Sequence, residues 1–326
     1  MTIHVTPFVG VHCETVATGT LLNALGCELS EPLLLGLGEA FGFVYLNLSS
    51  LPFGLIGGRN KPFALTGNAC GHLGLDCRES QTSSVAKAWR QLEQDLAAGH
   101  PVGLQLDCFH LPYFANAPHF AGHFVAVTGL DDDRAEVVDT VQQGTRQQVP
   151  RTALQAARHA GGPMSAKARS YTITGEVTAD LGVAALAAMR ATASAYLAPD
   201  FGGMGAPGLA KLATAMPGWL GRSATPGEDL HLAADLIERA GTGGALFRTL
   251  YRDFLAEVAE LVPGRADQIL QARDRIAASA QLWTTIAHLL DQCAVDGSPA
   301  HLRQAASLCR PIADAEVAAM RVLAEL

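Results

Sequence analysis

Residues 10–22 read GVHCETVATGTLL and predict a short loop that becomes a helix at a cysteine. Small and apolar side chains recur along this segment at helical spacing, so the helix should bury one face. Cys13 would then stand in the first turn, where free backbone N–H groups and the helix dipole stabilise a thiolate and can receive an oxyanion. The alternative is that Cys13 is a small buried hydrophobe, as most free cysteines are.

A second segment, residues 119–139, reads HFAGHFVAVTGLDDDRAEVVD and predicts a β-hairpin. Apolar runs at 124–128 and 135–138 flank a polar turn. His123 enters the first strand and Asp139 leaves the second, so an antiparallel pair should place the two side by side. With Cys13 they supply a nucleophile, a base and an orienting carboxylate, in the order Cys–His–Asp.

Several segments resemble one known family. HCET at 12–15, LSEPLLLGLGEAFGFVYL at 29–46, IGGR at 56–59 and GHFVAVTGLDDDRAEVVDT at 122–140 resemble the N-terminal domain of the butirosin-biosynthesis acyltransferase (BtrH-like) family. That domain is similar to the papain-like peptidases that trim bacteriocin leader peptides. GTGGALFRTLYRDFLAEVAEL at 241–261 resembles the helical domain that accompanies it. The resemblance implies an α+β protein, with a papain-like cysteine-hydrolase domain followed by an all-helical domain.

Composition places the chain among globular proteins, because 49% of its 326 residues are hydrophobic and 17% are charged. The net charge of −8 disfavours a nucleic-acid partner. The N-terminus has no basic segment or long apolar run, and no apolar stretch is long enough to span a bilayer. The seven cysteines include no CxxC pair and predict reduced thiols. We therefore expect a cytoplasmic protein without membrane association.

The segments between the motifs predict the domain organisation. Residues 14–24 predict a helix, and Ser30 can cap a short second helix with Pro32 in its first turn. The glycine-rich stretch 33–43 that follows predicts a close approach of the backbone to other backbone or to a ligand. Residues 44–48 predict a strand, 56–59 a turn and 101–108 a central strand. After Gly175 the composition shifts to Ala, Leu, Arg and Glu with helical periodicity. Helices are predicted at 179–197, 208–216, 229–240, 244–262 and 265–292, and from Ser298 onward. The predicted domains are 1–175 and 176–326.

The position usually occupied by glutamine in papain-like peptidases, about six residues before the cysteine, is Pro7 in this chain. That glutamine completes the oxyanion hole, so the Cys13 backbone N–H needs a second donor. Gln105 and Asn47 are the candidates, although a polar side chain on a strand is more often a surface residue. The departure counts against efficient peptide hydrolysis.

Five further residues are candidate substrate contacts. His12 could support the site or touch substrate. Asp107, at the end of an apolar strand, is either capped by local N–H groups or lines the pocket. Arg59 could pair with a substrate carboxylate or a phosphopantetheine phosphate, or form an intramolecular ion pair. Tyr45 and Tyr113 could wall the pocket, with core packing as the default for both.

A metal site is the main chemical rival to nucleophilic catalysis. His110, His119 and His123 are close in sequence, and Cys70 and His72 lie near Cys77. Neither set has a standard zinc spacing and HExxH is absent, so no metal site is predicted.

The resemblance implies an acyltransferase of natural-product biosynthesis. Cys13 would take an acyl group from an acyl-carrier-protein thioester and pass it to an amine of a small acceptor. No cofactor is expected apart from the phosphopantetheine that belongs to the donor. A cysteine peptidase or amidase, and a non-catalytic binding protein on the same scaffold, stay open as alternatives. A homodimer is possible, and the sequence names neither acyl group nor acceptor.

Overall fold

The computed structural model describes residues 1–48, 51–115, 119–162, 164–238 and 244–326. These residues form two compact units. The first contains Met1–Leu34 and Pro62–Ala179, and the second contains Leu35–Lys61 and Asp180–Leu326. A sheet dominates the first unit and helices the second, which confirms the predicted α+β class. The sequence assigned all of residues 1–175 to one domain, whereas residues 35–61 belong to the second unit.

The elements follow one another in two blocks along the chain. The first block contains α1 (Cys13–Asn23), α2 (Glu31–Leu37), β1 (Phe41–Leu46), β2 (Leu55–Arg59), α3 (Ala64–Leu73), β3 (Asp76–Ser80), α4 (Val85–Ala97), β4 (Val102–Leu106), β5 (His123–Leu130), β6 (Arg134–Val138), β7 (Arg146–Pro150), α5 (Arg151–His159) and β8 (Ser170–Thr174). The second block contains α6 (Leu181–Leu197), α7 (Gly205–Ala215), α8 (Pro226–Glu238), α9 (Gly244–Leu261), α10 (Ala266–Asp296) and α11 (Pro299–Ala324). The predicted end of helix 229–240 lies outside the described residues.

The first unit is built on an antiparallel sheet with strand order β3-β8-β4-β5-β6-β7. Strands β4 and β5 are buried along their whole length, which their apolar sequences VGLQL and HFVAVTGL favour. Leucines of α4 and α5 pack into one apolar cluster with these strands. The ring of Tyr171 lies over Gly103, where a Cβ atom would come within 2.1 Å of the ring. A glycine is therefore required at this point of the sheet.

Helix α1 is buried around its whole circumference, since residues 14–22 are all buried. The prediction of a single buried face is wrong. The helix tolerates this burial because its buried polar residues, the threonines and Glu14, all have hydrogen-bond partners. Thr20 Oγ1 donates back to the helix backbone at 2.8 Å, and Thr18 Oγ1 lies 2.8 Å from Thr66 Oγ1 and 3.2 Å from the Tyr171 hydroxyl.

The segment from residue 30 to residue 59 agrees with the prediction only in part. The predicted short helix capped by Ser30 is α2, where the Leu33 N–H donates to Ser30 Oγ at 3.0 Å, but β1 begins at Phe41, three residues before the predicted strand. The predicted turn at 56–59 is wrong, because it belongs to β2, which pairs with β1. Glycines hide the strand signal of β2. Gly57 is needed there because the Val44 side chain lies over it, and a Cβ atom at Gly57 would be 2.8 Å from that side chain.

The second unit encloses a buried ion pair. Arg248 on α9 and Glu316 on α11 have no exposed side-chain surface. Arg248 Nε and Nη2 each lie 2.8 Å from a Glu316 oxygen, while Nη1 donates to the carbonyls of Gly42 and Gly58. The hydroxyls of Tyr196 and Ser279 also donate to Glu316. The pair therefore joins the β1–β2 hairpin to the helices of this unit. Among the described residues, no helix has the length and apolarity to cross a membrane.

Candidate active site

Cys13 is the first residue of α1 and its side chain is partly exposed. His12 is the N-cap of the helix and is buried. Its Nδ1 accepts a hydrogen bond from the Thr15 N–H at 3.4 Å, and its carbonyl accepts one from the Val16 N–H at 3.0 Å. His12 therefore supports the turn that presents Cys13, which is one of the two roles considered for it, the other being contact with substrate.

Glu31, at the start of α2, holds the loop before Cys13. Its carboxylate accepts the N–H groups of Val11 and His12 at 2.9–3.0 Å and lies 2.6 Å from Thr15 Oγ1. A Cβ atom at Gly10 would come within 2.7 Å of this carboxylate. The sequence reasoning missed Glu31, because an acidic residue in a first helical turn usually serves its own helix.

Glu14, the residue after Cys13, is fully buried and was also missed. Its carboxylate accepts the backbone N–H groups of Phe63 and Thr66 at 3.1 Å each, and the Thr66 hydroxyl at the same distance. These N–H groups belong to the N-cap and first turn of α3, where an anion is stabilised by the helix dipole. Glu14 thereby anchors the nucleophile-bearing end of α1 to a second helix.

His123 begins β5, beside Leu106 of β4. Its Nε2 lies 2.8 Å from Asp139 Oδ2, and both side chains are buried. The Tyr113 hydroxyl donates to the same Oδ2 at 2.7 Å, and the Thr140 N–H donates to Oδ1 at 2.7 Å. These contacts fix the carboxylate and, through it, the orientation of the imidazole.

The charges of the site support one another. Burial alone would lower the pKa of His123, but Asp139 and Cys13, which is within hydrogen-bonding reach of the ring, raise that pKa well above 6.5. Burial likewise opposes ionisation of Asp139, but His123, Tyr113 and Thr140 hold its pKa below the usual value. Because Nε2 is engaged by Asp139, Nδ1 is the ring nitrogen left for Cys13. The structure therefore brings together the three residues selected from the sequence.

The two side chains proposed as oxyanion donors are engaged elsewhere. Gln105 donates its two amide hydrogens to the carbonyls of Ala121 at 3.0 Å and Met164 at 2.8 Å, and so has none to offer an oxyanion. It pairs with Phe124, so it points to the opposite sheet face from the adjacent His123 position. Asn47 belongs to the second unit, where its Oδ1 accepts a hydrogen bond from Arg222 at 2.7 Å.

The remaining candidates divide between the units. Asp107 is capped by local groups, since its Oδ1 accepts the N–H groups of Phe109 and Phe120 at 3.0 and 2.9 Å. Tyr113, for which core packing was the default, instead bonds the carboxylate of the His–Asp pair. The other two belong to the second unit: Tyr45 is buried there, and Arg59 Nη1 donates to Asn60 Oδ1 at 3.2 Å. For Arg59, substrate binding stays a prediction.

The chain matches two family models. Residues 12–140 match butirosin biosynthesis protein H, N-terminal. The chain therefore carries a BtrH-like N-terminal domain. Residues 152–323, more than half of the chain, match a domain of unknown function, DUF4872. No curated protein sequence matches the chain.

The match of the N-terminal domain implies a biosynthetic enzyme related to butirosin formation and thus to antibiotic metabolism. The first match starts one residue before Cys13 and ends one residue after Asp139. The second starts within α5, which belongs to the first unit, so the family boundary differs from the boundary of the compact units.

Proposed function

We propose that this BtrH-like protein is a cysteine-dependent acyltransferase that forms an amide through an acyl-Cys13 intermediate. The arrangement of Cys13, His123 and Asp139 supports the proposal more than any other observation. A partly exposed thiol starts a buried helix, and a buried His–Asp pair stands within its reach. The family's relation to an acyl-carrier-protein-dependent pathway supports a carrier-bound thioester as the donor.

In the first half-reaction the Cys13 thiolate attacks the thioester carbonyl carbon, and the carbonyl electron pair moves to oxygen. The tetrahedral intermediate collapses by breaking the bond between carbon and the pantetheine sulfur. The departing sulfur takes the proton that His123 holds. The raised pKa of His123 suits this step, since the imidazolium persists at neutral pH. Acyl-Cys13, a free pantetheine thiol and a neutral His123 result.

In the second half-reaction the acceptor amine attacks acyl-Cys13. Neutral His123 removes a proton from the attacking nitrogen, and the new intermediate collapses by breaking the bond between carbon and Cys13 Sγ. An amide leaves, and the thiolate and imidazolium are restored. Asp139 stays ionised throughout and holds the imidazole in place.

The backbone N–H of Cys13 is the oxyanion donor that we assign. The neighbouring N–H groups of Val11 and His12 are occupied by Glu31, and that of Thr15 by His12. Without a Gln105 amide to assist, stabilisation of the oxyanion is modest. A thioester, which has a good leaving group, tolerates this better than a peptide bond, so the site favours acyl transfer over peptide hydrolysis.

The test is the intact mass of the protein after incubation with a panel of acyl-pantetheine thioesters. We expect a mass gain equal to the acyl group in the native protein, and none in Cys13→Ala. Cys27→Ser is the matched control, because Cys27 is also a partly exposed free cysteine of the first unit. Cys27→Ser should become acylated like the native protein. In both proteins, an added amine should remove the acyl group from Cys13.

Two results would contradict the proposal. An adduct that persists in Cys13→Ala would place acylation on another residue. Absence of any adduct, with rapid alkylation of Cys13 and cleavage of peptides or simple amides, would favour the hydrolase. Absence of an adduct with slow alkylation would favour a binding protein on the same scaffold.

A further inference from the structure

Three metal-ligating side chains meet beside the His–Asp pair but take no part in the proposed acyl transfer. Asp107 follows β4, His110 ends the short 3₁₀ helix Cys108–His110 that comes next in the chain, and His119 precedes β5. One ligand atom from each lies within 4.8 Å of the others. The sequence considered His110 and His119 with His123. In the structure Asp107 replaces His123 in that set, because His123 is committed to Asp139.

The carboxylate of Asp107 is already oriented as a ligand. Its side chain is buried, and the backbone N–H groups of Phe109 and Phe120 fix Oδ1. Oδ2 is thereby directed toward His119, whose Nδ1 lies 2.8 Å away. The His119 ring stacks on Phe109 at 3.9 Å between ring centroids, and its side chain is 64% exposed. A buried carboxylate with fixed outer contacts and an adjustable imidazole is a common design of protein metal sites.

We propose that Asp107, His110 and His119 bind a divalent first-row transition-metal ion of the zinc class. Two imidazoles and one carboxylate suit zinc, cobalt or nickel, whereas calcium and magnesium require mainly oxygen ligands. Ligand atoms around a tetrahedral zinc ion stand about 3.4 Å apart, as bond lengths near 2.0–2.2 Å dictate. To bind the ion, the 2.8 Å contact between Asp107 and His119 must open to that spacing, and the exposed imidazole of His119 has room to move.

The ion would link the two ends of the connection between β4 and β5. That connection carries Tyr113, which bonds Asp139, and Phe114, whose ring meets the edge of His123 at 5.1 Å between centroids. Metal binding should therefore stabilise the segment that supports the His–Asp pair, in addition to the fold of the first unit. Solvent or a further ligand would complete the coordination on the exposed side of His119.

The experiment is a titration of the full-length, chelator-treated protein with Co²⁺, followed by competition with Zn²⁺. Cobalt bound by two imidazoles and a carboxylate absorbs visible light, and the absorbance reports its coordination. We expect saturable binding of one ion per chain and a higher melting temperature with Zn²⁺. His119→Ala and His110→Ala should each weaken binding at least tenfold, in line with effects at other metal sites. Both should lose the rise in melting temperature.

The matched control is His231→Ala. His231 is also partly exposed and lies 2.7 Å from a carboxylate, that of Asp291, but it belongs to the second unit. It should bind metal like the native protein. The proposal fails if no saturable binding occurs at millimolar Co²⁺ or Zn²⁺, or if both His119→Ala and His110→Ala bind as the native protein does. It also fails if only His231→Ala loses the ion. Because the histidine variants keep the buried Asp107, misfolding is not expected to obscure the result.

Discussion

Two buried pairs of opposite charge, one in each unit, differ in what surrounds them. Arg248 and Glu316 are enclosed by partners on every side: the guanidinium bonds the carboxylate and two carbonyls, and two hydroxyls complete the carboxylate. His123 and Asp139 are enclosed on the carboxylate side only. The other edge of the imidazole is left for Cys13, whose side chain is partly exposed.

The difference separates a structural pair from a reactive one. Burial opposes ionisation of Arg248 and Glu316, but each partner outweighs it, so the pKa of Arg248 is raised and that of Glu316 lowered. Both therefore stay charged at every ordinary pH. The pKa of a histidine in water lies near neutrality. The proton of His123 can therefore still be transferred after the surrounding groups raise its pKa. A buried pair becomes chemically useful when one member can titrate and one edge stays open.

The largest effect is expected at the reactive pair. Asp139→Asn should slow acylation of Cys13 by roughly 10⁴-fold, the loss seen when the orienting carboxylate of a triad becomes an amide. The physical reason is that an amide favours the wrong tautomer of His123 and no longer stabilises its imidazolium. Intact-mass kinetics with an acyl-pantetheine thioester would measure the effect. Asp132→Asn, an exposed carboxylate in the turn of the same hairpin, should acylate like the native protein.

The Asp139→Asn variant should also change the pH at which His123 loses its proton. Asp139 is a main cause of the raised pKa of His123, and burial acts in the opposite direction. In Asp139→Asn the deprotonation midpoint of His123, followed by NMR, should therefore fall to a lower pH. In the native protein the raised pKa stabilises the fold below about pH 6.5, and that contribution is lost as pH rises through the folded-state pKa. An unchanged midpoint would show that Asp139 does not control the imidazole.

Substitutions in the enclosed Arg248–Glu316 pair should change the free energy of unfolding rather than the rate of acylation. Arg248→Met leaves the Glu316 carboxylate buried without its cation, which should lower the free energy of unfolding by about 3–5 kcal/mol. Urea unfolding would measure the loss. Arg252→Met is the control on the same helix, since Arg252 pairs with Asp253 at a surface where both side chains are more than a third exposed. It should cost less than about 1 kcal/mol.

Removing both charges of the enclosed pair sharpens the comparison. If the pair is purely structural, Arg248→Met combined with Glu316→Leu should recover part of the stability lost in Arg248→Met alone. Equal losses in Arg248→Met and Arg252→Met would contradict the view that the enclosed pair stabilises the second unit.

The smallest effect is expected at Tyr113. Tyr113→Phe removes one of the two donors to Asp139 Oδ2, the other being His123. Acylation should slow by about tenfold, because a hydrogen bond to a charged group contributes about 1.5–3 kcal/mol and the carboxylate keeps its other donors. Adding Tyr113→Phe to Asp139→Asn should have little further effect. A full tenfold loss in that background would show that Tyr113 acts on something else.

Local signals account for the parts of the site that the sequence predicted. Cys13 opens a helix, and His123 and Asp139 flank a hairpin whose two apolar strands are joined by a short polar turn. Glu31 and Glu14 carried no such signal, because each caps backbone from a different part of the chain. Tyr113 was considered as a pocket wall, but its hydrogen bond to Asp139 was not foreseen for the same reason, as 26 residues separate the two. Contacts made across the fold leave no spacing to detect.

The elements of the fold were likewise predicted where local sequence determines them and missed where distant packing does. The helix predicted at 244–262 is α9, at Gly244–Leu261, because a long periodic segment needs only its own sequence. The strand β3 was missed, since it is a mostly exposed edge strand with the polar sequence DCRES. The strand β2 was taken for a turn, since its glycines suggested a change of direction, whereas Gly57 is explained by packing against Val44 of β1.

The division of the second unit into two sequence segments has a consequence for synthesis. The carbonyl of Gly58 accepts a hydrogen bond from Arg248, which the ribosome adds 190 residues later. At the usual 5–20 residues per second, a ribosome needs about 10–40 s to cover that distance. During this interval the nascent β1–β2 hairpin lacks the helices that cover it, while the first unit, which ends at Ala179, can already fold. The hairpin is thus uncovered for a period set by the length of the intervening chain, and slow codons placed before residue 248 would lengthen it.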